Sequence, residues 1–159
     1  MSDRPRVSVI HGPNLNLLGE REPSLYGRVR LSDLDRSLQV LGQRLGVDVI
    51  TAQTNGEGQL IDLLHDAGVN CRGALINPAG YTHTSVAIHD AIRALSIPVV
   101  EVHLSNLYAR EAFRHRSVTG GACRGVIMGL GMASYEVALR YLSTVFGDAD
   151  ASPPTTTME

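Results

Sequence analysis

The order of its apolar segments restricts the fold of this chain more than any other feature. Five short apolar runs alternate with longer segments whose apolar residues recur at helical spacing. The runs that predict strands are 6–10, 47–53, 73–77, 97–103 and 125–128. Strands that alternate with helices pair in parallel through right-handed crossovers. The pattern therefore predicts an α/β fold built on one parallel sheet.

The segments between these runs predict helices over 31–45, 60–67, 84–95, 106–115 and 131–146. The first is the clearest, because leucines at positions 31, 34, 38, 41 and 45 share one helical face. Ser32 and Asp33 are typical of a helix start. Five strands with these connections fit a flavodoxin-like, doubly wound, five-stranded parallel sheet with helices on both faces.

Length and composition predict one domain in the cytoplasm. The chain has 159 residues, an ordinary domain length, and we predict a single domain over 1–147. The polar, proline-bearing segment 148–159 predicts a disordered tail. No apolar run approaches the ~20 residues that span a bilayer, and no signal region is evident, so we expect no membrane partner. Cys71 and Cys123 lack metal-ligand spacing.

Charge and the absence of lysine narrow the function classes. The net charge is −2 and no basic face is evident, so nucleic acid is not an expected partner. All 14 residues counted as Lys+Arg are arginine. The chain therefore forms no lysine Schiff base and has no P-loop lysine.

Polar side chains follow the ends of the first four predicted strands, where ligands bind in sheets of this kind. They suit a small polyhydroxylated ligand. On the fourth strand, Glu101 and His103 share a face, and a carboxylate beside an imidazole fixes its tautomer and favours its protonated form. His103 is therefore a candidate general acid. The alternative is a half-buried polar pair satisfied by neighbouring arginines.

A loop bracketed by Gly19 and Gly27 contains Tyr26 and Arg21, and we predict a mobile loop over the site. Free tyrosine has a pKa of about 10. To act as a base near neutrality, Tyr26 needs nearby arginines to stabilise its anion. The alternative is a tyrosine that only packs.

Two further groups follow the third and fourth strands. Asn77 ends a strand, and His83 and Asp90 fall on one face of the next helix; the alternative is a capping His83 and a solvated Asp90. Zinc is not expected, because no pair of histidines has i, i+4 spacing. After the fourth strand, Ser105 and backbone N–H groups suit a carboxylate. Arg110 and Arg114 share a predicted helix face, where they bind hydroxyls or anions, or else form ion pairs with Glu111 or acidic neighbours.

Together these segments resemble the type II dehydroquinases. Two long blocks carry the resemblance: His11-Gly12-Pro13-Asn14-Leu15-Asn16-Leu17-Leu18-Gly19 and Glu101-Val102-His103-Leu104-Ser105-Asn106. Shorter matches lie at 21–23, 26–27, 53–58, 76–79, 81–87, 109–114 and 125–131. Departures at Gly56, Gly80, His89 and Tyr108, and a less typical glycine-rich segment at 117–123, fall on none of the expected catalytic positions.

The resemblance implies roles for matching residues. Tyr26, as tyrosinate, removes a proton from C2 of 3-dehydroquinate, and Arg21 keeps it ionised. Asn14 positions a water that stabilises the enolate. His103, oriented by Glu101, protonates the departing C1 hydroxyl.

The same resemblance implies that a group of five residues binds the substrate and that the reaction needs no cofactor and no metal. Its members hold the substrate's hydroxyls and carboxylate: Asn77, His83, Leu104, Ser105 and Arg114. Asp90 resembles an aspartate that reaches a neighbouring subunit's site, and the family is similar in assembling as a dodecamer of four trimers. The product is 3-dehydroshikimate, on the route to chorismate.

Three other functions are weighed against this one. Gly129-Leu130-Gly131 resembles part of a dinucleotide fingerprint, but Ser134 stands where the third small residue belongs and no second βαβ unit follows. A catalytically silent relative is opposed by the presence of every expected catalytic residue. A hydrolase is opposed because no Gly-x-Ser-x-Gly motif is present.

Overall fold

A five-stranded parallel sheet forms the centre of the molecule. The structure is a computed structural model, and it describes residues 2–20 and 23–147. The strands run in the spatial order β2-β1-β3-β4-β5. Their bounds are β1 Arg6–His11, β2 Asp48–Gln53, β3 Gly73–Asn77, β4 Val99–His103 and β5 Gly125–Met128. This is the doubly wound flavodoxin-like order, and the prediction of fold class is confirmed.

Helices cover both faces of the sheet. Their bounds are α1 Pro23–Tyr26, α2 Leu31–Leu45, α3 Glu57–Asn70, α4 Val86–Arg93 and α5 Met132–Gly147. Alternate residues of the strands point to opposite faces. Val9 and Leu75 pack with the core of α2 and α5, whereas Ile10 and Ile76 pack with that of α3 and α4. Each face is therefore a separate apolar layer, as the near-continuous apolar strands require.

The leucine stripe of α2 packs this helix against the sheet. Leu34 and Leu38 are fully or almost fully buried against the sheet. The Asp33 carboxylate accepts the backbone N–H of Arg30 (3.1 Å) and so caps the helix start. The helix ends at Gly46, whose φ of 77° lies in the left-handed region that glycine adopts without strain. The predicted bounds 31–45 are confirmed.

The predicted helix over 106–115 is wrong. Two short 3₁₀ turns, Leu107–Ala109 and Ala112–Arg114, replace it, and the backbone at Arg110 between them is extended. Leu107 is buried, but no apolar residue follows it at i+3 or i+4, so a helix here has no apolar stripe to bury. The Asn106 side chain accepts the Tyr108 N–H and forms a local turn instead.

Other predicted bounds differ by a few residues. The helix predicted over 60–67 extends to Glu57–Asn70, and that over 84–95 shortens to Val86–Arg93. Within residues 2–20 and 23–147, no helix has the length and apolarity that crossing a membrane requires. The segment 148–159 lies outside the described residues.

Candidate active site

A pocket opens beyond the carboxyl ends of β1, β3 and β4. The strand order reverses between β1 and β3, and the crevice at such a point is where doubly wound sheets bind ligands. The loops after these three strands supply its lining: Pro13, Asn14, Leu15, Leu18, Asn77, Ala79, Gly80, His83, His103, Leu104, Ser105, Leu107, Arg110 and Arg114. Most of the residues that the sequence predicts for the site are therefore brought together.

Glu101 and His103 form a buried pair at the base of this pocket. Both lie on β4, on the same face of the sheet, and the side chain of Glu101 is fully buried. The Nε2–H of His103 donates to Oε2 of Glu101 (3.1 Å). Because a carboxylate accepts this bond, Nδ1 is the ring nitrogen left for a ligand. The structure confirms the predicted side-by-side arrangement.

The remaining partners of Glu101 come from a turn that the sequence analysis did not assign to the site. The hydroxyl of Ser117 donates to Oε2 (2.9 Å), and the hydroxyl of Thr119 donates to Oε1. Gly120 N–H in turn donates to the Ser117 hydroxyl (2.7 Å). Hydroxyls, not the arginines of the alternative interpretation, therefore satisfy this buried carboxylate in the described part of the chain. Two hydroxyl residues in a glycine-rich segment offered only a weak signal of this role.

The loop after β1 places Asn14 in the pocket. Its φ of 69° lies in the left-handed region, which asparagine tolerates better than most residues. Its backbone N–H donates to Oδ1 of Asn55 (3.0 Å), and Gln53 donates to the Gly12 carbonyl oxygen (3.2 Å). The end of β2, expected to contribute to the ligand site, therefore supports the Asn14 loop and does not line the pocket.

Asn77 ends β3 and is almost fully buried in the pocket wall. Its Oδ1 accepts the backbone N–H of Ala79 (3.1 Å). Ala79 has a φ of 53°, a left-handed conformation that is strained for a residue with a side chain. The Asn77 side chain thus holds the start of the turn that leads to His83.

His83 ends the 3₁₀ turn Ala79–His83 and lines the pocket. Its Nδ1–H donates to the carbonyl oxygen of Arg116 (2.8 Å), which leaves Nε2 as a hydrogen-bond acceptor. His83 does not cap the following helix, because the Ser85 hydroxyl accepts the N–H of Ile88 (2.9 Å) and takes that role. The alternative in which His83 is only a cap is therefore wrong.

Two arginines line the mouth of the pocket although no continuous helix aligns them. Arg114 Nε–H donates to the Glu111 carboxylate (2.9 Å), and Arg110 Nε lies 3.7 Å from the same carboxylate. Arg110 also donates to the Ser105 hydroxyl (3.5 Å). The backbone N–H of Glu111 and the Arg114 hydrogen bond lower the pKa of Glu111. The arginines therefore pair with Glu111 and line the pocket at once.

Besides Glu101, which is buried beside His103, three of the predicted site residues are not placed among the residues that line this pocket. Asp90 is largely exposed on α4, where His89 lies 3.2 Å from its carboxylate, outside the pocket of its own chain. Arg21 lies outside the described residues. Tyr26 ends α1, but its side chain also lies outside the described part of the structure.

Two backbone amides of the Gly129-Leu130-Gly131 turn are already hydrogen-bonded within the protein. Leu130 N–H donates to the Ser134 hydroxyl (3.0 Å), and Gly131 N–H donates to the Leu104 carbonyl oxygen (3.0 Å). A Cβ on Gly129 would lie 3.0 Å from Cβ of Asn106. The turn thus packs against the loop after β4, which argues against the dinucleotide interpretation.

Comparisons with known proteins match almost the whole chain, and all of them point to the same family. A family model described as dehydroquinase class II matches residues 5–143. A 3-dehydroquinate dehydratase of Rhizobium johnstonii is 51% identical over 139 residues, which cover 87% of this chain and 96% of that protein. A 3-dehydroquinate dehydratase of Carboxydothermus hydrogenoformans is 52% identical over 134 residues, which cover 84% and 87%. The crystal structure of a type II dehydroquinase from Propionibacterium acnes superimposes with a TM-score of 0.86 at 43% identity, covering 88% of this chain and 97% of that one.

Proposed function

Because the chain belongs to the class II dehydroquinase family, we propose that it removes water from 3-dehydroquinate through an enolate and releases 3-dehydroshikimate, with neither metal nor organic cofactor. The observation that carries this proposal is the buried Glu101–His103 pair at the base of a pocket lined by amide, imidazole, hydroxyl and guanidinium groups. Such groups suit a polyhydroxylated carboxylate.

His103 is the proposed acid that protonates the departing C1 hydroxyl. Glu101 accepts its Nε2–H, so the transferable proton resides on Nδ1. The carboxylate beside the ring stabilises the imidazolium before the proton is given up. The hydroxyls of Ser117 and Thr119 keep that carboxylate from turning away from the ring. The buried pair supports a fixed geometry for the acid.

Tyr26 is the proposed base, and Arg21 stabilises its anion. The C2 proton of the substrate lies α to a ketone, so its removal gives an enolate whose charge needs preorganised donors. Asn14 lines the pocket, and this supports its proposed role of holding a water for that purpose. The proposal for Tyr26 and Arg21 rests on their match to the family's motif.

Substrate binding is assigned to residues of the loops after β3 and β4. Asn77 and His83 offer an amide and an imidazole to ring hydroxyls, and Ser105 with Leu104 and Arg114 receives the carboxylate. Arg114 is positively charged at neutral pH, so it complements the acid.

We also propose that the chain works in the cytoplasm as a dodecamer built from four trimers. Asp90 stands on the exposed face of α4, away from its own pocket, and this supports a contribution to a neighbouring subunit's site. Sedimentation of the purified protein tests the assembly.

The reaction and its base are tested together. Purified protein with EDTA is mixed with 3-dehydroquinate, and the near-ultraviolet absorbance of the conjugated enone is followed. We expect turnover by the unmodified protein and a fall of about 10²–10⁴-fold in Tyr26→Phe, the usual contribution of a positioned base. Calorimetric binding of the ligand should survive the substitution.

The matched control is Tyr141→Phe, which removes a hydroxyl from an exposed tyrosine on α5 and should leave the rate unchanged. Absence of turnover in the folded, assembled protein would refute the proposed function. Full activity in Tyr26→Phe would refute the assignment of the base alone.

A further inference from the structure

Behind Asn77, a chain of polar side chains runs through the protein from the pocket wall to α2. Asn77 Nδ2–H donates to the hydroxyl of Tyr135 (3.0 Å). That hydroxyl lies 3.4 Å from Nδ1 of His11, and Nε2 of His11 lies 2.8 Å from the Asp35 carboxylate. Tyr135 and His11 are fully buried. Four separate elements, β3, α5, β1 and α2, therefore meet in one hydrogen-bonded line.

Only one arrangement of protons satisfies this line with a neutral imidazole. The Ala79 N–H can only donate, so Oδ1 of Asn77 must face it and the amide NH₂ must face Tyr135. The Tyr135 oxygen then accepts, and its own proton is free for Nδ1 of His11. Nε2–H of His11 donates to the carboxylate. Each bond dictates the direction of the next: Ala79 and Tyr135 restrain the Asn77 amide from its two ends, and His11 and Asp35 restrain the Tyr135 hydroxyl.

Packing alone does not explain these residue types. A buried hydroxyl or imidazole is stabilising only while it is hydrogen-bonded, and an apolar side chain of similar shape fills a core position without that requirement. Burial raises the pKa of Tyr135, so its hydroxyl stays a neutral donor. His11 and Asn77 are paired across β1 and β3, next to the point where the strand order reverses.

We propose that Tyr135, His11 and Asp35 are positioning residues that hold the Asn77 amide in the orientation that binds a substrate hydroxyl. This inference rests on the proposed function, in which Asn77 contacts the substrate. One Asn77 N–H is committed to Tyr135, and the second remains for the ligand. The same orientation holds Ala79 at its positive φ and so keeps the turn to His83 in place.

Loss of a positioning residue should weaken substrate binding more than it slows the chemical step. Asn77 contacts a hydroxyl that the reaction does not change, so its loss weakens substrate and transition state alike. We expect Tyr135→Phe to raise KM by about threefold to tenfold, the worth of one hydrogen bond, while kcat stays within about twofold. Tyr141→Phe on the same helix is the matched control and should change neither constant.

A double-mutant cycle separates positioning from general destabilisation. If Tyr135 acts through Asn77, Tyr135→Phe should have no further effect on KM in an Asn77→Ala background. Independent, multiplying effects on KM would overturn the inference. So would an unchanged KM in a Tyr135→Phe enzyme that is merely less stable to heat.

Asp35→Ala tests the other end of the line if Tyr135→Phe folds poorly. Asp35 is partly exposed and is not among the residues that line the pocket, yet its loss should raise KM by about twofold to threefold, again only when Asn77 is present. No change in KM in this variant, with a normal rate in the unmodified protein, would overturn the inference and leave the proposed function standing. An unmodified protein without turnover would overturn both.

Discussion

Thr119→Val removes one of the two hydroxyls that donate hydrogen bonds to the buried Glu101 carboxylate, and it keeps the shape of the Thr119 side chain. Thr119 and Glu101 are both fully buried. The substitution leaves Oε1 without the hydroxyl that donates to it, whereas Oε2 keeps His103 (3.1 Å) and Ser117 (2.9 Å). A carboxylate that is buried and partly unsatisfied is costly, so we expect a marked loss of stability.

The magnitude follows from two opposing contributions. A hydrogen bond to a charged group contributes about 1.5–3 kcal/mol, and the added methyl group returns about 0.8 kcal/mol of apolar burial. The expected loss in the free energy of unfolding is therefore about 1–2 kcal/mol. In a domain of this length, that lowers Tm by roughly 2–8 °C.

Far-ultraviolet circular dichroism is the suitable probe, because the chain contains no tryptophan. All variants are melted at one protein concentration, since any self-association makes Tm concentration-dependent. Thr144→Val is the control: Thr144 is exposed on α5 and its hydroxyl only donates to the Tyr141 carbonyl oxygen (2.7 Å). It should change stability by less than about 0.5 kcal/mol.

Thr119→Ser separates the hydroxyl from the methyl group. It keeps the donor to Glu101 and should retain a higher Tm than Thr119→Val. Equal losses in the serine and valine variants would mean that the hydroxyl contributes no more to stability than the methyl group does, and would count against the reasoning. A valine variant as stable as the unmodified protein would refute the reasoning about the buried carboxylate.

Three further predictions concern backbone packing, titration and assembly. Gly12→Ala places a Cβ 2.7 Å from the Asn77 carbonyl oxygen, so urea unfolding should show a loss of about 1–3 kcal/mol, whereas Gly121→Ala, with open space around it, should show little change. Burial and the charge of Glu101 raise the pKa of Cys123, so the thiol ionises more readily in the unfolded chain. The contribution of the Cys123 thiol to stability is present below its ordinary pKa and is lost as pH rises. Cys123→Ala should therefore show a smaller fall in the free energy of unfolding between pH 8 and 10, as measured by urea unfolding. Asp90→Ala should lower both the turnover rate and the sedimentation coefficient, and finding neither change would count against a role between subunits.

The sequence by itself determined the architecture, because periodicity is a local property that burial imposes on a chain. Apolar runs marked all five strands, and the leucine stripe marked 31–45 to the residue. Alternation along a strand also predicted that Glu101 and His103 lie side by side. The prediction of a helix over 106–115 is wrong for the same reason. The residues there are compatible with a helix, but they contain no apolar stripe that would stabilise one by burial.

Only the tertiary structure decided which distant side chains complete the site. Ser117 and Thr119 reach Glu101 because the turn after the arginines folds back on β4. Tyr135 meets His11, which lies 124 positions earlier in the chain, because α5 and β1 share one layer of the core. Such contacts leave no periodic signal. They depend on strand order and helix packing, and those bring together residues that the sequence keeps far apart.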